Sequence, residues 1–141
     1  MALVAVVRIV IHGVPVAKGR PRFSTRGGFA RAYTPGKTRD YEAALANAGR
    51  DAMAGAEPLQ GPLSVIMHVR LPIPASWSKA RHASAVQGGT RPTAKPDADN
   101  YLKCVDALNG IVWNDDGQIV DARVIKYYAD EPCVTVEVEA V

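Results

Sequence analysis

The sequence has little cysteine and no hydrophobic run long enough to cross a membrane. Its two cysteines, Cys104 and Cys133, lie far apart, with no CxxC pair and no His/Cys cluster around them. This spacing argues against a zinc site and favours two reduced, partly buried thiols. The apolar start Met1–Val7 is short and meets Arg8, so it predicts a first strand and not a signal peptide. We therefore expect a cytoplasmic protein.

Acidic residues are absent from the first 39 positions, which contain eight Lys and Arg residues. Residues 97–141 show the opposite bias, with ten Asp and Glu against three Lys and Arg. A basic segment attracts phosphate and an acidic cluster attracts cations, so this asymmetry favours a nucleic-acid partner. The alternative is that the two halves of the chain neutralise each other within the fold.

The length of 141 residues fits one domain, predicted to span residues 1–141. Alternating apolar residues predict four strands, the last two as a closing strand pair in which Val120, Ala122 and Val124 face the core. The predicted strands are Leu3–His12, Leu63–Leu71, Gln118–Tyr128 and Cys133–Val141. Helical periodicity predicts one helix from Thr38 to about Ala54 and another from Ala98 to Asn109. The order β-α-β-α-β-β predicts an α+β fold with a mixed or antiparallel sheet on which two helices pack.

Two segments between these elements are rich in Gly, Pro and basic residues. Residues Val16–Lys37 are predicted to form a loop or a loose hairpin. Residues Pro72–Pro96 form a second loose region, in which Ser76 is a candidate cap for a short helix that reaches Val86. Loops of this length in a small domain are typical of functional sites.

An acidic constellation begins at Lys95-Pro-Asp-Ala-Asp-Asn and continues in Asn114-Asp-Asp-Gly117. Pro96 disfavours helix at the preceding residue, so the helix is expected to begin at or after Asp97. Helical spacing then puts Asp99, Lys103 and Asp106 on one polar face. The loop before the next strand can bring Asp116 to the same place.

This set of residues suits the cleavage of a phosphodiester. The reaction builds negative charge on the phosphate and the leaving oxygen, which Mg²⁺ or Mn²⁺ can neutralise while activating water. Such ions prefer carboxylate oxygens, and a nearby lysine adds positive charge. Each feature also has an ordinary interpretation: Asp97 as a helix cap, Asp99 and Lys103 as a surface ion pair, and Asp115–Gly117 as a turn.

The acidic segments resemble the RusA-type Holliday junction resolvases, which are often prophage-encoded. The central match consists of KPDADNYLKCVDALNG (95–110) and VWNDDGQIVDARVIKYY (112–128). Weaker matches are GVPVAKGRPRF (13–23), YTPGKTRDYE (33–42) and LPIPASWSKARH (71–82). The resemblance covers nearly the whole chain. One departure is Tyr101, where the family usually has Leu, and this change is expected to affect packing more than chemistry.

The resemblance implies a homodimer that binds four-way DNA junctions and resolves them by paired symmetric nicks in recombination and repair, with Mg²⁺ or Mn²⁺ as cofactor. It implies metal-binding catalytic carboxylates at Asp97, Asp99 and Asp116 and a catalytic lysine at Lys103. Asp115 and Asp121 are further candidate ligands, whereas Asp106 is set aside as a bystander. A less selective nuclease for forks and flaps and a non-catalytic DNA-binding protein with a structural metal site are the alternatives.

Basic residues near the acidic constellation are candidates for contact with DNA phosphates, a type of contact that gives affinity without reading sequence. Most of them come from the loose N-terminal segment. The candidates are Lys18, Arg20, Arg22, Arg26, Arg31, Lys37, Arg39 and Lys95.

Overall fold

The computed structural model describes residues 6–19, 22–24, 31–33 and 36–141. The strands are β1 (Val6–His12), β2 (Arg22–Ser24), β3 (Arg31–Tyr33), β4 (Leu63–Pro72), β5 (Ile119–Ala129) and β6 (Cys133–Ala140). The helices are α1 (Gly36–Met53), α2 (Lys79–Val86) and α3 (Ala98–Leu102), with 3₁₀ segments at Lys103–Leu108 and Asp116–Gln118. Within the described ranges no helix is long and apolar enough to cross a bilayer.

Four strands form one mixed sheet in the order β1-β6-β4-β5. β6 pairs antiparallel with β1 and with β4, whereas β5 pairs parallel with β4. β2 and β3 form a separate antiparallel hairpin within the segment predicted as a loop or loose hairpin. The α+β fold and the order β-α-β-α-β-β are confirmed, and the structure adds this hairpin and α2 to that order.

The core lies on one face of the four-stranded sheet, where alternating residues of the two central strands are buried. They are Leu63, Val65, Met67 and Val69 on β4 and Val134, Val136 and Val138 on β6. α1 adds Leu45 and the first 3₁₀ segment adds Leu108, and neither side chain is exposed to solvent. A shift of one residue would turn every buried side chain of a strand outward, so this packing fixes the register.

The prediction that β5 and β6 form a closing strand pair is wrong. They are consecutive in sequence, but β4 lies between them and pairs with both. The physical reason is burial: β4 has the most apolar inner face and takes the central place, while β5, which carries Arg123 and Lys126, lies at the edge. Strands two places apart are separated by about 10 Å, and three or four extended residues at about 3.3 Å each span that distance.

Val120 is predicted to face the core, but it lies on the surface. Its side chain is 62% exposed. The pairing of β4 with β5 shifts register between Leu63, which faces Ile119, and Ser64, which faces Asp121, so Val120 is left without a partner on β4. Ala122 is exposed as well and Val124 is half-buried, because β5 is the edge strand of the sheet that the described residues form.

Three helices differ from the predictions at one end or in their cap. α1 begins at Gly36, and the hydroxyl of Thr38 accepts a hydrogen bond from the backbone N–H of Gly19 at 3.0 Å. Ser78 and not Ser76 caps α2, accepting from the backbone N–H of Arg81 at 3.2 Å. The helix predicted to run from Ala98 to Asn109 is α-helical only to Leu102 and continues as the 3₁₀ segment Lys103–Leu108.

The same substitution at Val65 and Val120 tests this arrangement. We expect Val65→Ala to lower the free energy of unfolding by about 2 kcal/mol, because it leaves a cavity in the core. Val120→Ala is expected to change it by less than about 0.5 kcal/mol, because the side chain is already in solvent. Urea unfolding followed by circular dichroism measures both, and a loss of similar size at Val120 would contradict its place at the exposed edge.

Candidate active site

An open cleft of about 330 Å³ lies where α3, the first 3₁₀ segment and the start of β5 meet. Four charged side chains line it, and we call it the acidic cleft: Asp99, Lys103, Asp106 and Asp116. Its apolar lining consists of Leu102, Val105, Ile119 and Ala122. The structure therefore brings together three carboxylates and one lysine from two separate stretches of sequence.

The loop that carries Asp116 is held by the side chain of Gln118. The amide oxygen of Gln118 accepts hydrogen bonds from the backbone N–H groups of Asn114 and Asp115 at 2.8 and 3.1 Å. Its amide nitrogen donates to the carbonyls of Leu59 and Gly61 at 2.9 and 3.0 Å. These four hydrogen bonds of the half-buried Gln118 side chain hold the loop in which Asp116 lies. No sequence pattern pointed to a role for Gln118, although the residue lies within the acidic motif at 112–128.

Asp115 serves the same loop as a cap and does not line the acidic cleft. Its carboxylate accepts a hydrogen bond from the backbone N–H of Gly117 at 3.0 Å, within a capping box with Gln118. Asp121 pairs with Ser64 on the face of the sheet opposite the buried residue Val65, and it is likewise not among the residues that line the cleft. The two further candidate ligands thus lie outside the cleft.

Asp106 contacts Asp116 across the cleft. The proximity of the two carboxyl groups raises the pKa of Asp116 above its ordinary value, chiefly because they can share a hydrogen bond when one is protonated; desolvation and the negative charges of Asp106 and Asp115 add to the shift. Asp106 also accepts from the ammonium group of Lys18 at 3.3 Å, and that ammonium lies 3.7 Å from Glu42. The residue set aside as a bystander is therefore part of the cleft. Its helical spacing from Asp99 and Lys103 is the sequence signal that pointed to it.

Asp99 and Lys103 form the surface ion pair that their spacing predicts. The ammonium of Lys103 lies 3.5 Å from the carboxylate of Asp99 and donates to the side-chain oxygen of Asn100 at 3.2 Å. Both side chains are exposed, so the pair contributes only a few tenths of a kcal/mol. Its exposure leaves both groups accessible from the cleft.

Asp97 lies in an adjoining cleft of about 520 Å³, which we call the Asp97 cleft. Lys18, Lys95 and Asn100 also line it. Asp97 occupies the N-cap position of α3, but in the described part of the chain its side chain makes no capping hydrogen bond. The carboxylate of Asp97 is therefore not used in a capping hydrogen bond, whereas the ordinary interpretation of this residue is a helix cap.

The predicted DNA-binding residues are placed unevenly. Lys18 and Lys95 line the Asp97 cleft, and Lys37 and Arg39 are exposed in the first turn of α1. Arg22 and Arg31 lie on the hairpin strands β2 and β3, and their side chains are not described. The last two candidates, Arg20 and Arg26, lie outside the described residues.

The donor chemistry of the acidic cleft fits a divalent cation. Across residues 6–19 and 36–141 and the two hairpin strands, no group of three or more His, Cys, Asp or Glu side chains is gathered closely enough to hold a metal ion. Asp106 and Asp116 nevertheless lie close enough to raise the pKa of Asp116, and a cation would relieve the repulsion that arises when both carboxyl groups are ionised. Mg²⁺ is commonly held by one or two carboxylates, with water and phosphate oxygens completing its shell.

The fold is α+β with a mixed sheet, and it carries an open cleft lined by carboxylates and one lysine. Such a cleft is suited to metal-assisted phosphodiester chemistry. The sequence model of the family described as endodeoxyribonuclease RusA matches residues 12–139. The chain belongs to this family of Holliday junction endonucleases, which act on branched DNA and depend on a divalent metal ion. The chain is also 40% identical, over 141 residues, to the uncharacterized protein YqaN of Bacillus subtilis (strain 168), covering 96% of each chain.

Replacing Asp106 by Asn tests the carboxylate contact. We expect the pKa of Asp116 to fall toward its ordinary value of 3.8, because the variant removes a charge and a shared proton. A raised pKa stabilises the fold below the ordinary value and loses that stabilisation as pH rises through the raised value. Carboxyl NMR titration of metal-free protein measures the shift. Asp130→Asn, which removes a carboxylate paired with His82, serves as the control and should leave Asp116 unchanged.

Proposed function

We propose that this protein is a divalent-metal-dependent endodeoxyribonuclease that resolves Holliday junctions by paired symmetric nicks. The observation that carries the proposal is the acidic cleft, which joins three carboxylates and a lysine in a chain of the RusA family. The cleft is open to solvent, so a phosphodiester of DNA can reach its side chains. A role in recombination and repair, in the cytoplasm, follows from this activity.

Asp97, Asp99 and Asp116 are the proposed metal ligands, with Mg²⁺ as the expected ion and Mn²⁺ as a substitute. When bound, the ion supplies positive charge to the scissile phosphate and lowers the pKa of a water molecule. The contact of Asp106 with Asp116 supports adding Asp106 to this set. Asp116 is held in place by Gln118, so its carboxylate is presented without a large loss of entropy on binding.

Lys103 is the proposed cationic residue of the catalytic group. Its ammonium lies at the mouth of the acidic cleft, where Asp99 and Asn100 orient it. A lysine in that place stabilises the charge that develops on the phosphate oxygens during cleavage.

The DNA path is proposed to run along the basic residues around the two clefts. Lys95, Lys37 and Arg39 are exposed and free to approach phosphates. Lys18 is committed to Asp106 and Glu42, so we expect it to contribute less to DNA affinity than Lys95. We assign the four arginines of the N-terminal segment, Arg20, Arg22, Arg26 and Arg31, to the same path on the basis of sequence.

A homodimer is proposed as the active species, with residues 1–141 forming one domain in each protomer. A four-way junction has approximate two-fold symmetry, and its resolution needs two cuts. A dimer with two-fold symmetry presents two equivalent sites to such a substrate. Cleavage of a cruciform plasmid to linear product without accumulation of the nicked circle is the corresponding readout.

Asp97→Asn is expected to lower the rate of junction nicking by about 100-fold or more while leaving junction affinity within about threefold, since it removes a ligand and not a phosphate contact. The assay uses labelled four-way junction, fork and linear duplex with Mg²⁺, Mn²⁺ or EDTA. Asp51→Asn, at an exposed position on α1, is the matched control and should behave as wild type.

Three results would contradict the proposal. Equal cleavage of all three substrates would indicate a less selective nuclease. Junction binding without cleavage would indicate a DNA-binding protein with a structural metal site. Full activity of Asp97→Asn would remove Asp97 from the metal ligands.

Lys103→Ala is expected to lower the single-turnover rate by about 100-fold, with little change in the Mg²⁺ concentration that gives half the maximal rate. The reason is that its charge acts on the phosphate and not on the metal. Single-turnover nicking over a range of Mg²⁺ concentrations measures both quantities. An unchanged rate would exclude Lys103 from the mechanism.

A further inference from the structure

Lys126 holds the loop that leads into Asp97. It lies on the edge strand β5, and its ammonium donates to the backbone carbonyls of Ala94 and Pro96 at 2.8 and 3.0 Å. Hydrogen bonds from a charged donor are stronger than those between neutral groups. Two of the three ammonium protons are therefore committed to one short loop. The second of these carbonyls belongs to the residue directly before Asp97.

The beginning of the same loop is also attached to β5. The Nε of Arg91 donates to the backbone carbonyl of Lys126 at 3.1 Å. The guanidinium of Arg91 lies 4.2 Å from the ring centre of Tyr127, the next residue of the strand. Pro92, the next residue of the loop, is buried. Both ends of residues 91–96 are thus tied to the edge strand, and Lys126 takes part in both attachments.

Asp97 depends on this loop for its position. Among the described residues its side chain makes no capping bond to α3, and its backbone carbonyl accepts a first-turn bond from the N–H of Asn100 at 3.1 Å. A carboxylate without a hydrogen bond of its own is placed by the backbone that carries it. That backbone is held one residue upstream, at Pro96, by Lys126.

A second interpretation is that Lys126 contacts a DNA phosphate directly. The residue is half-buried, and its bonds to the two carbonyls hold the ammonium against the loop. Removing the ammonium would leave both carbonyls without this donor, which favours rearrangement of the loop. The geometry thus favours an action through the loop.

We propose that Lys126 is a positioning residue for the nuclease reaction, which fixes residues 94–96 so that Asp97 is held at the edge of the catalytic group. This inference rests on the proposed function for its effect on cleavage. Displacement of a reacting group by about 1 Å can lower a rate by about 100-fold. The expected signature is therefore a slow chemical step in a protein that still binds junctions.

The test compares Lys126→Met with Arg123→Met, which removes a positive charge from the opposite face of the same strand. For Lys126→Met we expect the single-turnover rate of junction nicking to fall by about 10- to 100-fold. Junction affinity in EDTA should stay within about threefold, and its salt dependence should be unchanged. Hydrogen exchange followed by mass spectrometry should be faster over residues 93–103. Arg123→Met should match wild type in all three measurements.

Wild-type nicking rate and exchange in the Lys126→Met variant would overturn the proposal. A weaker affinity with a shallower salt dependence and a normal rate at saturation would also overturn it, in favour of a phosphate contact. If the Met variant does not fold, Lys126→Gln decides: its amide still donates hydrogen bonds but is shorter and uncharged, so a nicking rate below wild type with faster exchange supports the proposal and wild-type behaviour overturns it.

Failure of the proposed function has a different signature. If the wild-type protein nicks no junction with Mg²⁺ or Mn²⁺, the assigned activity is wrong. Exchange over residues 93–103 in the metal-free variants then still decides whether Lys126 holds the loop.

Discussion

The parallel pairing of β5 with β4 is the constraint on which the candidate site depends. A parallel pair needs a long crossover, and here the crossover carries α2, α3 and the first 3₁₀ segment. The crossover ends just before the first residue of β5, where Asp116 lies close to Asp106. Farther along the same strand, Lys126 reaches the loop before Asp97. One strand at the edge of the sheet thus organises both clefts.

Charge is distributed in the fold so that the cleft remains incompletely neutralised. Lys18 links the N-terminal segment to Asp106 and Glu42, which is the mutual neutralisation of the two chain halves anticipated as an alternative. This pairing uses one lysine, and the carboxyl groups of Asp106 and Asp116 still lie close to each other beside it. The ion pairs of Lys18 and the close approach of Asp106 to Asp116 therefore coexist in the cleft.

Sequence patterns predicted where the strands and helices lie better than they predicted which strands pair. Alternation located β4 and β6 and periodicity located α1, because each of these elements buries one face in the core. The hairpin expected from β5 and β6 did not form, because local turn signals carry no information about a third strand inserted between them. Asp106 was set aside for a similar reason, since its partner Asp116 comes from a loop ten residues away.

The sequence by itself determined the α+β class, the family and the identity of the acidic residues, because composition, periodicity and motif are local properties of the chain. Tertiary structure alone decided which acidic residues meet, what holds them and which lie apart. Gln118 and Lys126 act through backbone carbonyls of residues about 30 to 60 positions away, at Ala94, Pro96, Leu59 and Gly61. Backbone carbonyls are the same in every residue, so no sequence pattern records such bonds.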